Sequence, residues 1–308
     1  MLYKAYRLIE VFMEIRRLNP QCINCLVKKQ LENYPKAAQD SDKIRYMQKV
    51  LDIIAKSPMS MSAPEIVNEI YNIQKEMFAA KQDYSEIKRY FNSLMLETEK
   101  ALSDETEKSD TPLKTAVQYA MTGNYIDFGA MDRVDESKLR ELLDNAKNIE
   151  IDENEFRALQ NDLAKAGHLV YLTDNCGEIV LDKLLISVIK KLYPTLEITA
   201  IVRGAEVLND ADIEDAKQVA LTDLVKVIDN GSDIAGTCLD KISVNALKTI
   251  DNADVIISKG QGNFETLNRC GRNIYYMFMC KCKLFSDRFG VPLYSGMLIN
   301  DKALFEIM

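Results

Sequence analysis

Three short polar segments in the second half of the chain carry residue types that suit one chemistry: Asp174-Asn175-Cys176-Gly177-Glu178, Arg203-Gly204 with Asn209-Asp210, and Ser258-Lys259-Gly260-Gln261-Gly262-Asn263. Each follows a β-like run. Carboxylate and amide oxygens are ligands for hard divalent cations, Lys and Arg offset phosphate charge, and glycines beside a polar residue let backbone amides turn toward an anion. Together they point to a phosphate ester held on a divalent ion. Each segment alone has a plainer reading. Asp174-Asn175 before a helix suits an N-cap, Arg203 with Asp210 suits a surface ion pair, and 258–263 suits a Gly-rich turn joining strand to helix. The last is neither a Walker A loop nor a dinucleotide fingerprint. Gly123-Asn124-Tyr125-Ile126-Asp127-Phe128 ends a helix, with Gly123 as its C-cap and a polar pair, Asn124 and Asp127, able to look into a cleft.

The elements that must position these residues divide the chain in two. Residues 1–166 read as helices: a capping box at Ser62 and Glu65 with Pro64 between, an apolar stripe of Ile87, Phe91, Leu94 and Met95, a restart at Thr111-Pro112, and further helices over 136–146 and 154–166. The acidic run 103–110 reads as a solvated helix face. After Gly167 the period changes. Leu169-Val170-Tyr171-Leu172, Ile198-Thr199-Ala200-Ile201-Val202, Val225-Lys226-Val227-Ile228 and Asp254-Val255-Ile256-Ile257 are β-branched runs separated by helical stretches, among them 178–192. Continuous apolar strands alternating with helices predict an α/β domain over 167–308, a mostly parallel Rossmann-like sheet flanked by helices, beside the N-terminal all-helical domain. Ligands of such sheets bind beyond the carboxyl ends of the strands, where the polar segments lie.

A chain of 308 residues with 47% apolar content has enough material for a buried core, and its net charge of −8 argues against a nucleic-acid surface. It has no run of 18 apolar residues and no signal-peptide pattern, so a membrane role is not expected and a cytoplasmic location is. Seven cysteines without a secretion signal predict free thiols or metal ligands rather than a disulfide framework. Cys22-x-x-Cys25 with Cys280-x-Cys282 is a candidate structural zinc site, weighed against buried free thiols. Cys176, Cys238 and Cys270 read as packing residues. The single histidine, His168, excludes a multi-His zinc centre.

These residues resemble the metal-dependent damage-control phosphatases, formerly a domain of unknown function, in the prokaryotic branch with an N-terminal Cys-x-x-Cys. The likeness runs in order through Cys22-Ile23-Asn24-Cys25, Gly123-Asn124, Asp127-Phe128, Asp174-Asn175, Gly177-Glu178, Arg203-Gly204, Asn209-Asp210, the segment 231–237, the segment 259–265 and Lys281-Cys282. Residues 1–18 precede the pattern and read as an added helix. The resemblance implies a helical domain on a Rossmann-like domain and hydrolysis of small phosphomonoesters with Mn, Ni, Co or Mg. It makes Asp174, Asn175 and Asp210 the metal ligands and turns Lys259 and Arg203 toward the phosphate, with Gly204, Gly260 and Asn263 in the same loops. Glu178, Asn124 and Asp127 would then support the ligands or meet the substrate. Two departures fall in the second loop: Glu206 stands where relatives often have Pro, and Asp212 where a Thr is common.

The expectation is a metal-dependent phosphoric monoester hydrolase acting on damaged or side-product metabolites, with Asp174, Asp210 and Lys259 in the chemistry. The rival readings are an S-adenosylmethionine-dependent carboxyl methyltransferase and a non-enzymatic zinc or redox module built on the cysteines. The first rival calls for a Gly-rich turn after the first strand, where this chain offers only Gly177.

Overall fold

The computed structural model describes residues 18–35, 37–79, 83–127 and 134–305. The added helix expected over 1–18 lies outside this set apart from Leu18, as does Phe128. The helical half comprises α1 (Pro20–Asn33), α2 (Asp40–Lys56), α3 (Ala63–Phe78), α4 (Ser85–Glu107), α5 (Pro112–Gly123), α6 (Glu136–Asp144) and α7 (Glu153–Leu163). The capping box at the head of α3 is present, the Ser62 amide donating to Glu65 Oε2 at 2.8 Å. Helix α4 runs through Glu107, so that much of the acidic run is its last turn, with Asp104, Glu105 and Glu107 exposed.

From residue 168 strands and helices alternate: β1 (His168–Leu172), α8 (Glu178–Leu192), β2 (Glu197–Val202), α9 (Ile213–Gln218), β3 (Lys226–Asp229), α10 (Val244–Asp251), β4 (Val255–Lys259) and α11 (Gln261–Leu267). They are followed by β5 (Ile274–Met279), α12 (Lys283–Phe289) and β6 (Gly296–Asn300). The six strands lie in the order β3-β2-β1-β4-β5-β6, parallel except for β6, which pairs antiparallel to β5. The four runs expected to be strands form the β3-to-β4 part. Strands β5 and β6 extend it. Ile-Tyr-Tyr-Met-Phe-Met of β5 is buried along its whole length, and an uninterrupted apolar run of that kind has no period that tells strand from helix.

Side-chain parity sorts the sheet into two faces. Leu169, Tyr171, Val202, Val255, Ile257 and Met277 pack on the face covered by α4, α5 and α8. Val170, Leu172, Ile201, Ile256, Tyr276 and Phe278 pack on the other, against Phe264 and Leu267 of α11 and Phe285 of α12. Both faces are therefore covered, as a parallel sheet requires. The apolar core crosses the point where helical period gives way to strands, since Phe91, Met95, Val117 and Met121 belong to the same cluster as Leu169 and Ile257. Helices α1, α2 and α3 hold a separate small cluster around Tyr46, Val50 and Ile66.

Strand order reverses between β1 and β4, because β2 and β3 continue to one side of β1 and β4 and β5 lie on the other. A crevice opens at the carboxyl ends of two strands whose following loops leave in opposite directions. The loops after β1 and β4 supply the first and third polar segments.

Candidate active site

Asp174 follows β1 and meets the second loop through backbone pairing. The Ala211 amide donates to Asp174 O at 2.7 Å, the Cys176 amide to Asn209 O at 2.8 Å, and Asn175 and Asp210 form an isolated antiparallel bridge. This pairing brings the carboxylates of Asp174 and Asp210 to one place, and both are buried. Arg203, from the end of β2, lies between them. Its Nε donates to Asp210 Oδ2 at 2.5 Å, Nη2 reaches Asp174 Oδ1 at 3.4 Å, and Nη1 donates to Asn263 Oδ1 at 3.1 Å. Asn263 is itself fixed by Thr173 O and Lys259 O at 3.1 and 2.8 Å and accepts from Thr237 Oγ1 at 2.8 Å.

The glycines permit this closeness. Gly260 has φ +82°, and a Cβ there would lie 2.0 Å from Asp174 Oδ2. Gly204 would drive a Cβ to 2.4 Å from the backbone of Gly231, and Gly262 to 2.2 Å from Ala235 O. Gly123 allows the end of α5 to pack against α8, its missing Cβ facing Leu181 Cδ1 at 2.9 Å and Glu178 Cα at 3.3 Å. The C-cap position of α5 thereby delivers Asn124 into the site. Asn124 Nδ2 donates to Asp174 Oδ2 at 3.0 Å and to Glu178 Oε2 at 2.9 Å, while its Oδ1 accepts the Met279 amide at 3.0 Å. Asn175 Nδ2 donates to the same two carboxylates at 2.7 and 2.9 Å, which leaves its Oδ1 as the atom to offer a cation. Asp127, more open to solvent, accepts from Lys281 Nζ at 2.5 Å.

The structure thus brings together Asn124, Asp174, Asn175, Glu178, Arg203, Asp210 and Asn263, with Gly204 and Gly260 as space for them. Lys259 stands differently. The sequence reading puts Lys259 at the end of β4, where the strand does end, but aims its ammonium at a phosphate in the cleft. Residue 259 then shares parity with Val255 and Ile257, and its side chain enters the layer under α8. There Nζ donates to Ala120 O at 2.8 Å, Glu178 Oε1 at 2.6 Å and Asp182 Oδ1 at 2.6 Å, with no exposed surface. An ammonium has three protons, and all three are used.

Asp182 and Tyr171 are additions to the set read from sequence, and Lys281, named there only within the family likeness and given no role, joins them. The spacing Glu178-x-x-x-Asp182, one turn on a helix face, is the signal that was present for the first. Lys281 follows β5, the strand that the sequence pattern hides.

Charge in the site is out of balance. Asp174, Glu178, Asp182 and Asp210 face Arg203 and Lys259. Burial first, then the Asp210 and Glu178 carboxylates, push Asp174 well above the ordinary carboxylate range, against Lys281 and Arg203. Burial also raises Asp210; Arg203 opposes it and Asp127 adds to it. Burial raises Asp182 to about 6, held down by Lys259 and pushed up by Glu178. Two buried carboxylates raised in this way beside an amide oxygen are a donor set that a hard divalent cation fits, since it would restore their charge.

The four cysteines of the zinc expectation are all free thiols. Burial raises Cys22 to about 11, with Glu265, Cys282 and Cys25 as electrostatic neighbours, so the thiols of α1 lie near the loop after β5. Cys280 is fully buried in the apolar cluster beside Phe278 and Phe285. Among the described residues no three His, Cys, Asp or Glu side chains stand together as a metal-holding group. Nor is any helix among them long and apolar enough to cross a membrane.

Over residues 18–297 the sequence matches the damage-control phosphatase ARMT1-like domain. The chain belongs to the damage-control phosphatase family. It is 28% identical to a damage-control phosphatase of Archaeoglobus fulgidus over 89% of this chain and 96% of that one. It is also 28% identical to one from Pyrococcus horikoshii over 93% and 98%. An uncharacterised protein of Methanocaldococcus jannaschii is 29% identical over 92% and 95%. The crystal structure of a DUF89 family protein from Pyrococcus horikoshii superposes with a TM-score of 0.77 at 25% identity, covering 92% of this chain and 99% of that one. The α/β fold of this chain is thus shared with a solved DUF89 family protein.

Proposed function

We propose that this member of the damage-control phosphatase family hydrolyses small phosphomonoesters, drawn from damaged or side-product metabolites, with a divalent ion (Mn, Ni, Co or Mg) held by Asp174, Asn175 and Asp210. The observation that carries this reading is the pair of buried carboxylates bridged by one guanidinium at the switch point of the sheet. Relatives named as damage-control phosphatases support the reaction class. When bound, such an ion polarises a phosphoryl oxygen and offsets its developing charge.

The chain supplies the rest. Arg203 is oriented before substrate arrives, because Asp210, Asp174 and Asn263 each take part of its fork, and preorganised cations of this kind favour a transition state that gathers charge on the equatorial oxygens. Lys281 takes over the part first expected of Lys259. Its ammonium lies within electrostatic reach of Asp174, and an entering phosphate would compete with Asp127 for it. Asn124 holds Asp174 from the α5 side. The attacking group is a water or one of the two aspartates; aspartate attack would leave a phosphoaspartyl enzyme that hydroxylamine traps. The methyltransferase alternative finds less support, because the turn after β1 is filled by Asp174, Asn175 and Glu178 and its one glycine, Gly177, packs on Ile126 and Phe91.

The test is a screen of phosphoesters with metal-stripped protein, repeated with each of Mn, Ni, Co and Mg. Turnover that depends on added metal is expected. Full activity after exhaustive chelation would remove the metal from the reading, and no turnover of any phosphoester would remove the phosphatase.

A further inference from the structure

A buried ionic network continues from the site into the core. Tyr171 Oη donates to Asp182 Oδ1 at 2.7 Å, and Lys259 Nζ joins that same oxygen to Glu178 Oε1, both at 2.6 Å. Glu178 in turn accepts from Asn175 and Asn124, whose amides hold Asp174. Asp182 Oδ2 has no hydrogen-bond partner, so Asp182 is held through one oxygen only. Replacing such a buried ion cluster by apolar side chains is often neutral or stabilising. Stability alone therefore gives little reason to keep a tyrosine, a lysine and two carboxylates at this depth.

We propose that Tyr171, Asp182 and Lys259 are positioning residues. They form a strut that holds Glu178 as a fixed acceptor, so that Asn175 keeps its Nδ2 on the carboxylates and its Oδ1 toward the cation. None of the three touches substrate or ion. Lys259 fixes Glu178 and also takes the Ala120 carbonyl near the end of α5, which locks that helix end and Asn124 to α8. Glu178 and Asp182 lie one turn apart on α8, so a single ammonium spans both.

This inference rests on the proposed cation site, and the wild-type protein tests that site separately. The probe is Mn²⁺ titrated by calorimetry into metal-free protein, alongside thermal melting and binding of inorganic phosphate. If the wild type takes up no Mn²⁺, the cation reading itself fails. If it binds, the variants decide the strut. Simple electrostatics says that Lys259→Met, which deletes a positive charge, should tighten Mn²⁺ binding. The strut says that it weakens binding, by about 10–100-fold, the range for residues that orient metal ligands. A phosphate contact at Lys259 would instead leave Mn²⁺ binding unchanged or tighter and weaken phosphate.

The triple variant Tyr171→Phe, Asp182→Leu, Lys259→Met removes one carboxylate and one ammonium together, so its net charge is unchanged, and Glu178 keeps the Asn124 and Asn175 amides. It is expected to stay folded, as circular dichroism and a cooperative melt would show, while binding Mn²⁺ about 10–100-fold more weakly. Mn²⁺ affinity within about threefold of wild type in this folded variant, well inside that range, overturns the strut, as does tighter binding in Lys259→Met.

Discussion

Lys88 and Lys259 are both buried, and each is held by two carboxylates. Lys88 of α4 reaches Asp212 Oδ2 at 2.5 Å and Asp215 Oδ2 at 2.7 Å; Lys259 reaches Glu178 and Asp182, both at 2.6 Å. The two clusters differ in where their carboxylates lead. Asp212 is the N-cap of α9 and accepts the Glu214 and Asp215 amides, while Asp215 accepts the Asp212 amide in return. Those carboxylates are held by helix backbone, and Asn92, which donates to Asp215 Oδ1 and accepts the Gly177 amide at 2.6 Å, ties α4 to the start of α9 and to the backbone of the loop after β1. Glu178 instead hands on to Asn124, Asn175 and Asp174. Equal ionic make-up thus serves a brace in one place and an active-site frame in the other. Asp212, in the second loop, thus serves the brace.

The largest effects should come from the end of the frame. Asp174→Ala and Asp210→Ala are expected to lower kcat/KM by a thousandfold or more, about 4 kcal/mol of transition-state stabilisation. Both lie in loops beyond strand ends, so circular dichroism should stay native. Activity near wild type in either would break the ligand assignment. Next, Lys88→Met leaves two carboxylates buried without their cation and should cost about 3–5 kcal/mol of stability. Its Mn²⁺ affinity should match wild type, as read by calorimetry on the folded protein at low temperature. A loss of metal binding there would erase the distinction between brace and frame.

A smaller and more local effect is expected at two glycines with nearly equal φ. Gly260 has φ +82° and Gly271 φ +79°, but a Cβ on Gly260 meets Asp174 at 2.0 Å while one on Gly271 meets nothing within 4 Å. Gly271→Ala should cost only the backbone strain, about 1 kcal/mol. Gly260→Ala adds displacement of Asp174 and should lose most activity at saturating substrate. Equal activity in the two would mean that Asp174 has room to move without consequence.

These contrasts show where sequence reading reaches and where it stops. Asp174, Asn175, Arg203 and Asp210 were legible because strand ends in a parallel sheet collect ligands, and β-branched runs mark the ends of β1 and β2 within a residue. Asn124 was visible through the glycine before it, although Gly123 serves close packing on α8 as well as the helix end. Lys259 was placed at the end of β4 but aimed at the cleft, because the glycines after it suggested an anion loop. Its parity with Val255 and Ile257 puts the side chain under α8 instead, against partners on α5 and α8 that no local pattern shows. Lys281 and Cys280 sit beyond β5, whose uniform apolar run gave no period. The Lys88 brace joins residues 124 apart and leaves no local trace.

Glu265 sharpens the comparison from a third side, as a half-buried carboxylate with no lysine. It makes no hydrogen bond or ion pair among the described residues, and burial raises it to about 7, opposed only by Arg288. A carboxyl raised above its unfolded value of 4.5 holds its proton more tightly when folded. Stability should therefore be greatest below that value and fall as pH rises toward 7, with no further loss from this group above it. Gln resembles the protonated side chain. Glu265→Gln should gain on wild type by roughly 2–3 kcal/mol between pH 5 and pH 8, the linkage cost of such a shift over that range. Urea midpoints at the two pH values measure it, and other titrating groups cancel in the difference. A gain of the same size at both pH values would mean that the carboxyl finds a counter-charge when folded, and that its burial resembles Lys88's partners more than an isolated acid.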